Sequence, residues 1–213
     1  CAVTPPADQT TGPTALERVD LARARGDDAA AADAMREAAG ESTGSERVRR
    51  LLIAAWLAAR AGDPATAGEL ALQARSGRSS GDLPGPLDAA VEAELSLLAG
   101  DPDAAIEQTA AELPAGAPDL EWLLNTRAEA LTATGRIFEA SETRARLLAI
   151  ALSPGVRAAE RDRLWTVLEG SRSSELRSWR PAAGSPLSAW LDFALRLRVA
   201  RFSPGALDRL ITV

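Results

Sequence analysis

Two stretches of this sequence say almost the same thing: ARAGDPATAGEL at residues 59–70 and LAGDPDAAIEQ at residues 98–108. The glycines of a common frame, Gly62, Gly100 and Gly135, are 38 and 35 positions apart. Each has an alanine seven positions before it (Ala55, Ala93, Ala128) and another five after it (Ala67, Ala105, Ala140). A period of this size is that of a helical hairpin stacked on its neighbours. The small residues let two helices approach closely, and the glycine supplies the left-handed residue that ends the first helix.

The residues that follow the glycine strengthen the reading. In Asp63-Pro64 and Asp101-Pro102 the aspartate can accept from the free amides of a new helix, while proline fits its first position. Gly26, with Asp27 and Ala31 behind it, is a weaker copy 36 positions before Gly62, with Val19 where the small residue would be. The arrangement resembles tetratricopeptide repeats and predicts an all-α, tetratricopeptide-like solenoid of about twelve short helices. The expected spans are 14–25, 27–39, 45–61, 64–76, 86–99, 102–112, 118–133, 137–151, 155–169, 172–180, 186–201 and 204–213.

Composition agrees with helices. Of 213 residues, 46% are hydrophobic, yet Tyr is absent and only three are Phe, so the apolar material is mostly Ala and Leu rather than strand formers. Every basic residue is arginine, and the net charge of −6 disfavours nucleic acid as a partner. The apolar run LLIAAWLAA stops at Arg60, far short of a membrane span.

Catalytic and metal-binding tools are scarce. With no His and no Tyr, and Cys1 as the sole cysteine, His-based triads, zinc knuckles and C-x-x-C pairs are excluded. Without lysine there is no P-loop. No cofactor and no metal are expected. The acidic pairs Asp27/Asp28, Glu92/Glu94 and Glu160/Asp162 read as solvated surface charge. Glu41-Ser42 matches two letters of the lytic transglycosylases, but the other motifs of that family have no counterpart, so a non-enzymatic protein is expected.

Cys1 followed by AVTPPADQTTGPT resembles a mature bacterial lipoprotein, with residues 1–13 as a flexible tether from a lipidated cysteine and 14–213 as the folded domain. In Gram-negative lipoproteins a residue other than Asp after the cysteine, here Ala2, implies the outer membrane. The apolar, uncapped run Leu210-Ile211-Thr212-Val213 suggests that a longer chain continues beyond it.

The segments RVRRLLIAAWLAARAGDPATAGELALQA, AVEAELSLLAGDPDAAIEQ, LLNTRAEALTATGRIFEASETRARLLAI, ERDRLWTVLEG and PLSAWLDFALRL, taken in order, resemble the N-terminal domain of the LpoA (LppC) family of penicillin-binding protein activators. The more distinctive pieces are those of the second half: RAEALTATGRIFEA at 127–140, the Trp165 helix that follows ERDR, and the PLSAWLDFAL helix that follows a loop. The resemblance implies a lipoprotein that reaches from the outer membrane across the periplasm to a class A penicillin-binding protein and stimulates it. It also implies a further domain resembling periplasmic binding proteins, absent here, as the main contact with the synthase. The alternative is a cell-envelope adaptor of tetratricopeptide type that binds a peptide or protein.

Either reading makes the concave face the place for a partner. The repeat frame puts Arg49, Trp56, Arg60, Glu94, Trp122, Asn125 and Glu129 there. The competing reading, favoured for the two tryptophans, is that they pack against neighbouring helices and that the charges are solvated. Trp165, Trp179 and Trp190 are expected in the core.

Overall fold

A computed structural model describes residues 12–79, 83–111, 113–114, 116–150 and 152–201, with residues 200 and 201 described as helix backbone only. Cys1 with most of the tether, and the expected helix over 204–213, lie outside the described residues. Among the described residues the chain is all helical, with no strand. The eleven helices are α1 (Ala15–Ala24), α2 (Asp28–Gly40), α3 (Gly44–Arg60), α4 (Pro64–Ser76), α5 (Pro86–Leu98), α6 (Pro102–Gln108), α7 (Leu120–Ala133), α8 (Ile137–Leu148), α9 (Pro154–Gly170), α10 (Ser173–Ser178) and α11 (Leu187–Arg201).

The repeated turn has a common geometry. Gly26, Gly62, Gly100 and Gly135 have φ of 73°, 81°, 83° and 74°, the left-handed region in which glycine has no Cβ penalty. After α3 the Gly62 N–H donates to Ala59 O at 2.9 Å and the Asp63 N–H to Ala58 O at 3.0 Å. The same pair of bonds closes α1 on Ala22 O, α5 on Ser96 O and α7 on Leu131 O. These are Schellman closures, which satisfy carbonyls that the helix itself leaves free.

The next helix then starts on its own cap. Asp27, Asp63 and Asp101 accept from the N–H of Ala30, Thr66 and Ala104, each at 3.0 Å. Arg136 occupies the equivalent place before α8 and makes no such bond. The small residues of the frame sit where the helices touch: Ala55, Ala67, Ala93, Ala105, Ala128 and Ala140 are all buried.

Several boundaries differ from the expected spans, the eighth helix ending at Leu148 rather than 151 and the tenth covering Ser173–Ser178 rather than 172–180, and two of the differences have a clear cause. The seventh helix begins at Leu120 rather than 118, because Asp119 takes a left-handed φ of 63° and breaks the backbone there. The sixth ends at Gln108 rather than 112, where the Thr109 hydroxyl turns back onto Ala105 O at 2.7 Å.

Packing follows the hairpins. Each of α1/α2, α3/α4, α5/α6 and α7/α8 is a contacting pair, and α5 packs against both α3 and α7. Leu51 to Ala59 of α3 are buried without a break, as befits a helix surrounded on all sides. They centre a core shared by α1–α5 and α7, while a second core joins α8–α11. Trp165, Trp179 and Trp190 are half-buried against that second core. α1 packs on α2 and also on α9, near the other end of the chain.

Candidate functional site

The candidate partner-binding residues converge, but in the interior. Trp56 of α3 and Trp122 of α7 meet edge to face, ring centres 4.9 Å apart, and both are buried. Each carries a guanidinium on its face: Arg60 lies 4.8 Å from the Trp56 ring centre and Arg23 of α1 lies 4.4 Å from that of Trp122. Arg23 also bonds Glu121 at 2.5 Å. The row Arg23, Trp122, Trp56, Arg60 therefore is a pair of rings with a cation on the face of each, the placement that the quadrupole of an aromatic face favours.

From this row a chain of polar contacts crosses the molecule. The Trp56 Nε1–H donates to Thr126 Oγ1 at 2.7 Å, and the Thr126 hydroxyl donates to Glu94 of α5 at 2.9 Å. Arg60 donates to Asn125 Oδ1 at 3.0 Å and to Asp28 of α2 at 3.2 Å. The Asn125 amide in turn donates to Glu160 of α9 at 3.3 Å. Glu160 is held by Arg144 of α8 at 2.6 Å and by Arg163, and Arg144 also reaches Glu129 at 3.1 Å. Six helices, α2, α3, α5, α7, α8 and α9, thus meet through side chains that share hydrogen bonds.

The electrostatics are uneven along this seam. Burial works against the Arg60 charge, but Glu94, Asp28 and Glu129 together outweigh it and raise its pKa. Burial also acts on Glu94 and there it wins, raising the carboxyl above its ordinary value despite Arg60 and Thr126. The two directions are consistent, because Arg60 is served by three carboxylates whereas Glu94 has one guanidinium, 3.9 Å away. For Glu129 the burial penalty is overcome by Arg144, Arg60 and Arg163, and its pKa is lowered.

The frame residues do not form an open concave surface. Trp56 and Trp122 pack against neighbouring helices, the reading favoured for them above, and Glu94 and Asn125 are buried with them. Arg60 is nearly covered, Glu129 is half-buried, and only Arg49 is largely exposed, pairing with Asp119 at 2.8 Å. Glu94 and Glu160 are not solvated surface charge, since each is enclosed by partners on other helices. Glu92 and Asp162 are exposed, Asp27 caps α2, and Glu41 is exposed at the end of α2.

Thr126, Arg144 and Arg23 were not singled out by the sequence. Asn125-Thr126 did carry a signal, two uncharged polar residues that directly follow the apolar run Trp122-Leu123-Leu124 in LEWLLNTRAEAL. Arg144 and Arg23 carried none, because an arginine in a charged, alanine-rich helix looks the same whether it faces water or a buried carboxylate. Among the described residues no cluster of three or more His, Cys, Asp or Glu side chains could hold a metal ion, and no helix is long and apolar enough to cross a membrane.

Among the described residues, the surface grooves outside the seam include two of similar size. One, of about 620 Å³, runs between α1 and α2 over Leu21, Ala22, Ala30 and Ala34 with Arg18 and Glu37 at its rim. The other, of about 700 Å³, lies between α8 and the loop before α11 and includes Glu139, Glu142 and Arg146. Compared with known proteins, the chain matches no family model, no curated protein and no solved structure.

Proposed function

We propose that this chain is a non-enzymatic domain of an outer-membrane lipoprotein, a helical spacer or docking module for an activator of a class A penicillin-binding protein. In this reading the hairpins stack as a tetratricopeptide-like solenoid, and Cys1 carries the lipid. The observation that carries it is the recurrence of one glycine turn at Gly26, Gly62, Gly100 and Gly135, with the first helices of successive hairpins, α3, α5 and α7, packed side by side. That architecture works by reach and surface rather than by a reacting group.

The buried seam supports the same reading. Its hydroxyl, Thr126, both accepts from Trp56 and donates to Glu94, so its hydrogen bonding is used for structure. A module whose interior is tied together by such a network keeps a fixed span.

The test adds the lipidated chain, with whatever follows it in the gene, to a purified class A synthase making crosslinked glycan. Stimulated crosslinking is expected, together with loss of palmitate labelling in Cys1→Ala. Peptidoglycan turnover by the chain alone, or a precursor in which Cys1 receives no lipid, overturns the reading.

A further inference from the structure

The last three described helices belong to a part of the chain whose charge is opposite to that of the rest. Residues 154–213 hold ten arginines and six acidic side chains, whereas residues 1–153 hold fourteen arginines and twenty-four acidic side chains. The basic end attracts an anion that the remainder repels, so an acidic partner is steered toward α9–α11 and away from the other helices.

At that end α8, α9 and α11 border a hollow of about 230 Å³, lined by Leu148 and Ala149 of α8 with Pro186 and Trp190, and edged by Arg157 and Arg161 of α9. No carboxylate lines it. The two larger grooves differ in this, since Glu37 in one pairs with Arg18 and Glu142 in the other accepts from the Ala182 N–H at 3.2 Å. The hollow is also smaller than the roughly 300–1,000 Å³ of a small-molecule site, and suits one side chain brought by a partner rather than a whole cofactor.

Its polar groups have donors to spare. Arg157 donates to Leu148 O and Ile150 O, both at 3.1 Å, at the end of α8. Those two bonds hold the guanidinium in place and leave the other N–H groups of its fork unused. Arg161, one helical turn on, touches only its neighbour Asp162, at 3.4 Å. The side chains of that pair are 58% and 74% exposed, so solvent screens it and the guanidinium is open to a better placed carboxylate. Trp190 packs with one side on the core of α8–α11, and among the described residues its indole N–H has no hydrogen-bond partner. An indole that leaves water usually finds one, as Trp56 does in Thr126.

We propose that this hollow docks an acidic segment of a partner protein, with one apolar side chain against Trp190 and Pro186 and a carboxylate on each of Arg157 and Arg161. The two arginines are four positions apart on one helix, where side chains start roughly 5–6 Å from each other, so the partner's two carboxylates need a similar spacing. Tryptophan and arginine are also the residues on which protein interfaces concentrate their binding energy. This goes beyond the activator reading and stands without it.

The test titrates the full chain with a labelled peptide that has a single leucine centred in a run of glutamates. Saturable binding is expected, with a shift of the Trp190 indole N–H resonance, which is identified by its loss in Trp190→Phe. Arg161→Glu should weaken binding about tenfold, because it replaces an attraction with a repulsion. Arg36→Glu makes the same charge change on α2, at a side chain equally exposed and likewise paired with a nearby aspartate, and should leave binding within about twofold. A peptide with glutamine in place of every glutamate should not bind.

No binding of the acidic peptide, or equal binding of the glutamine peptide, overturns the proposal. Equal weakening by Arg36→Glu and Arg161→Glu overturns it too, since net charge rather than the hollow would then be recognised. A Trp190 shift produced by vesicles containing phosphatidylglycerol but not by the peptide replaces the protein partner with a membrane surface.

Discussion

Trp56 Nε1 donates to Thr126 Oγ1 at 2.7 Å, seventy positions along the chain, in a part of the molecule from which water is excluded. The bond ties α3 to α7, and because the same hydroxyl donates to Glu94 it ties both to α5. Each member's orientation is fixed by the next.

The first prediction follows from that sharing. Trp56→Phe leaves Thr126 with one partner fewer, and Thr126→Val strips both the indole N–H and Glu94 of theirs. Each should cost about 1–3 kcal/mol in urea unfolding, the penalty for a buried polar group left unpaired. The double variant should cost less than the sum, because the orphaned groups are the same ones. Strict additivity would mean that the two side chains do not act as a pair.

The second concerns the contact between α1 and α9. Gly155→Ala puts a methyl 2.3 Å from the Ala24 Cβ and 3.1 Å from its Cα, so α1 must shift. Overpacking of this kind costs about 1–3 kcal/mol. Ala24→Gly in the same chain removes the nearer atom and should restore part of the loss. Thermal unfolding of the three species measures it, and a Gly155→Ala chain as stable as the original would show that α1 does not rest there.

The helices and their turns were legible in the sequence because they depend on local chemistry. A glycine that must be left-handed, an aspartate that caps and a proline at the first helical position act within six residues of one another, and the frame at Gly62 repeats at Gly100. What lies between the helices was not legible. Whether Glu160 faces water or Arg144 depends on how α8 and α9 are rotated against each other, and both are rich in charged residues of either sign. Trp56 and Trp122 were placed on one face by the repeat frame, but α1, reaching across with Arg23, covers that face. No sequence periodicity announces a contact between the first helix and the ninth.

Glu94 gives a pH-dependent prediction. Burial raises its pKa even with the attraction of Arg60 counted, so the charged form is disfavoured in the folded chain. A raised folded-state value contributes stability that is fully present below the unfolded carboxylate range, about 4.3, and is lost as pH rises through the folded value. Glu94→Gln, which keeps an acceptor for Thr126 and leaves Arg60 with Asp28 and Glu129, should therefore raise the Tm at pH 7. The difference should vanish below about pH 4, where Glu94 is itself neutral. A gain of the same size at both pH values would assign the effect to packing instead.

Arg144 and Arg163 both reach Glu160, and the structure separates them by exposure. Arg144 is covered and stands between Glu160 at 2.6 Å and Glu129 at 3.1 Å, whereas Arg163 is 42% exposed. Removing one side of a covered pair leaves a charge that water cannot reach, so Arg144→Met should cost about 3–5 kcal/mol. Arg163→Ala, screened by solvent, should cost at most about 1 kcal/mol. The double variant Arg144→Met/Glu160→Leu removes the stranded carboxylate as well, and apolar replacement of a whole buried pair is often neutral. It should recover most of the stability, less what Asn125 loses when its amide no longer has Glu160 to donate to. Chemical unfolding of the three chains decides it: if the double variant is no better than Arg144→Met, packing around Arg144 rather than the stranded charge of Glu160 accounts for the loss.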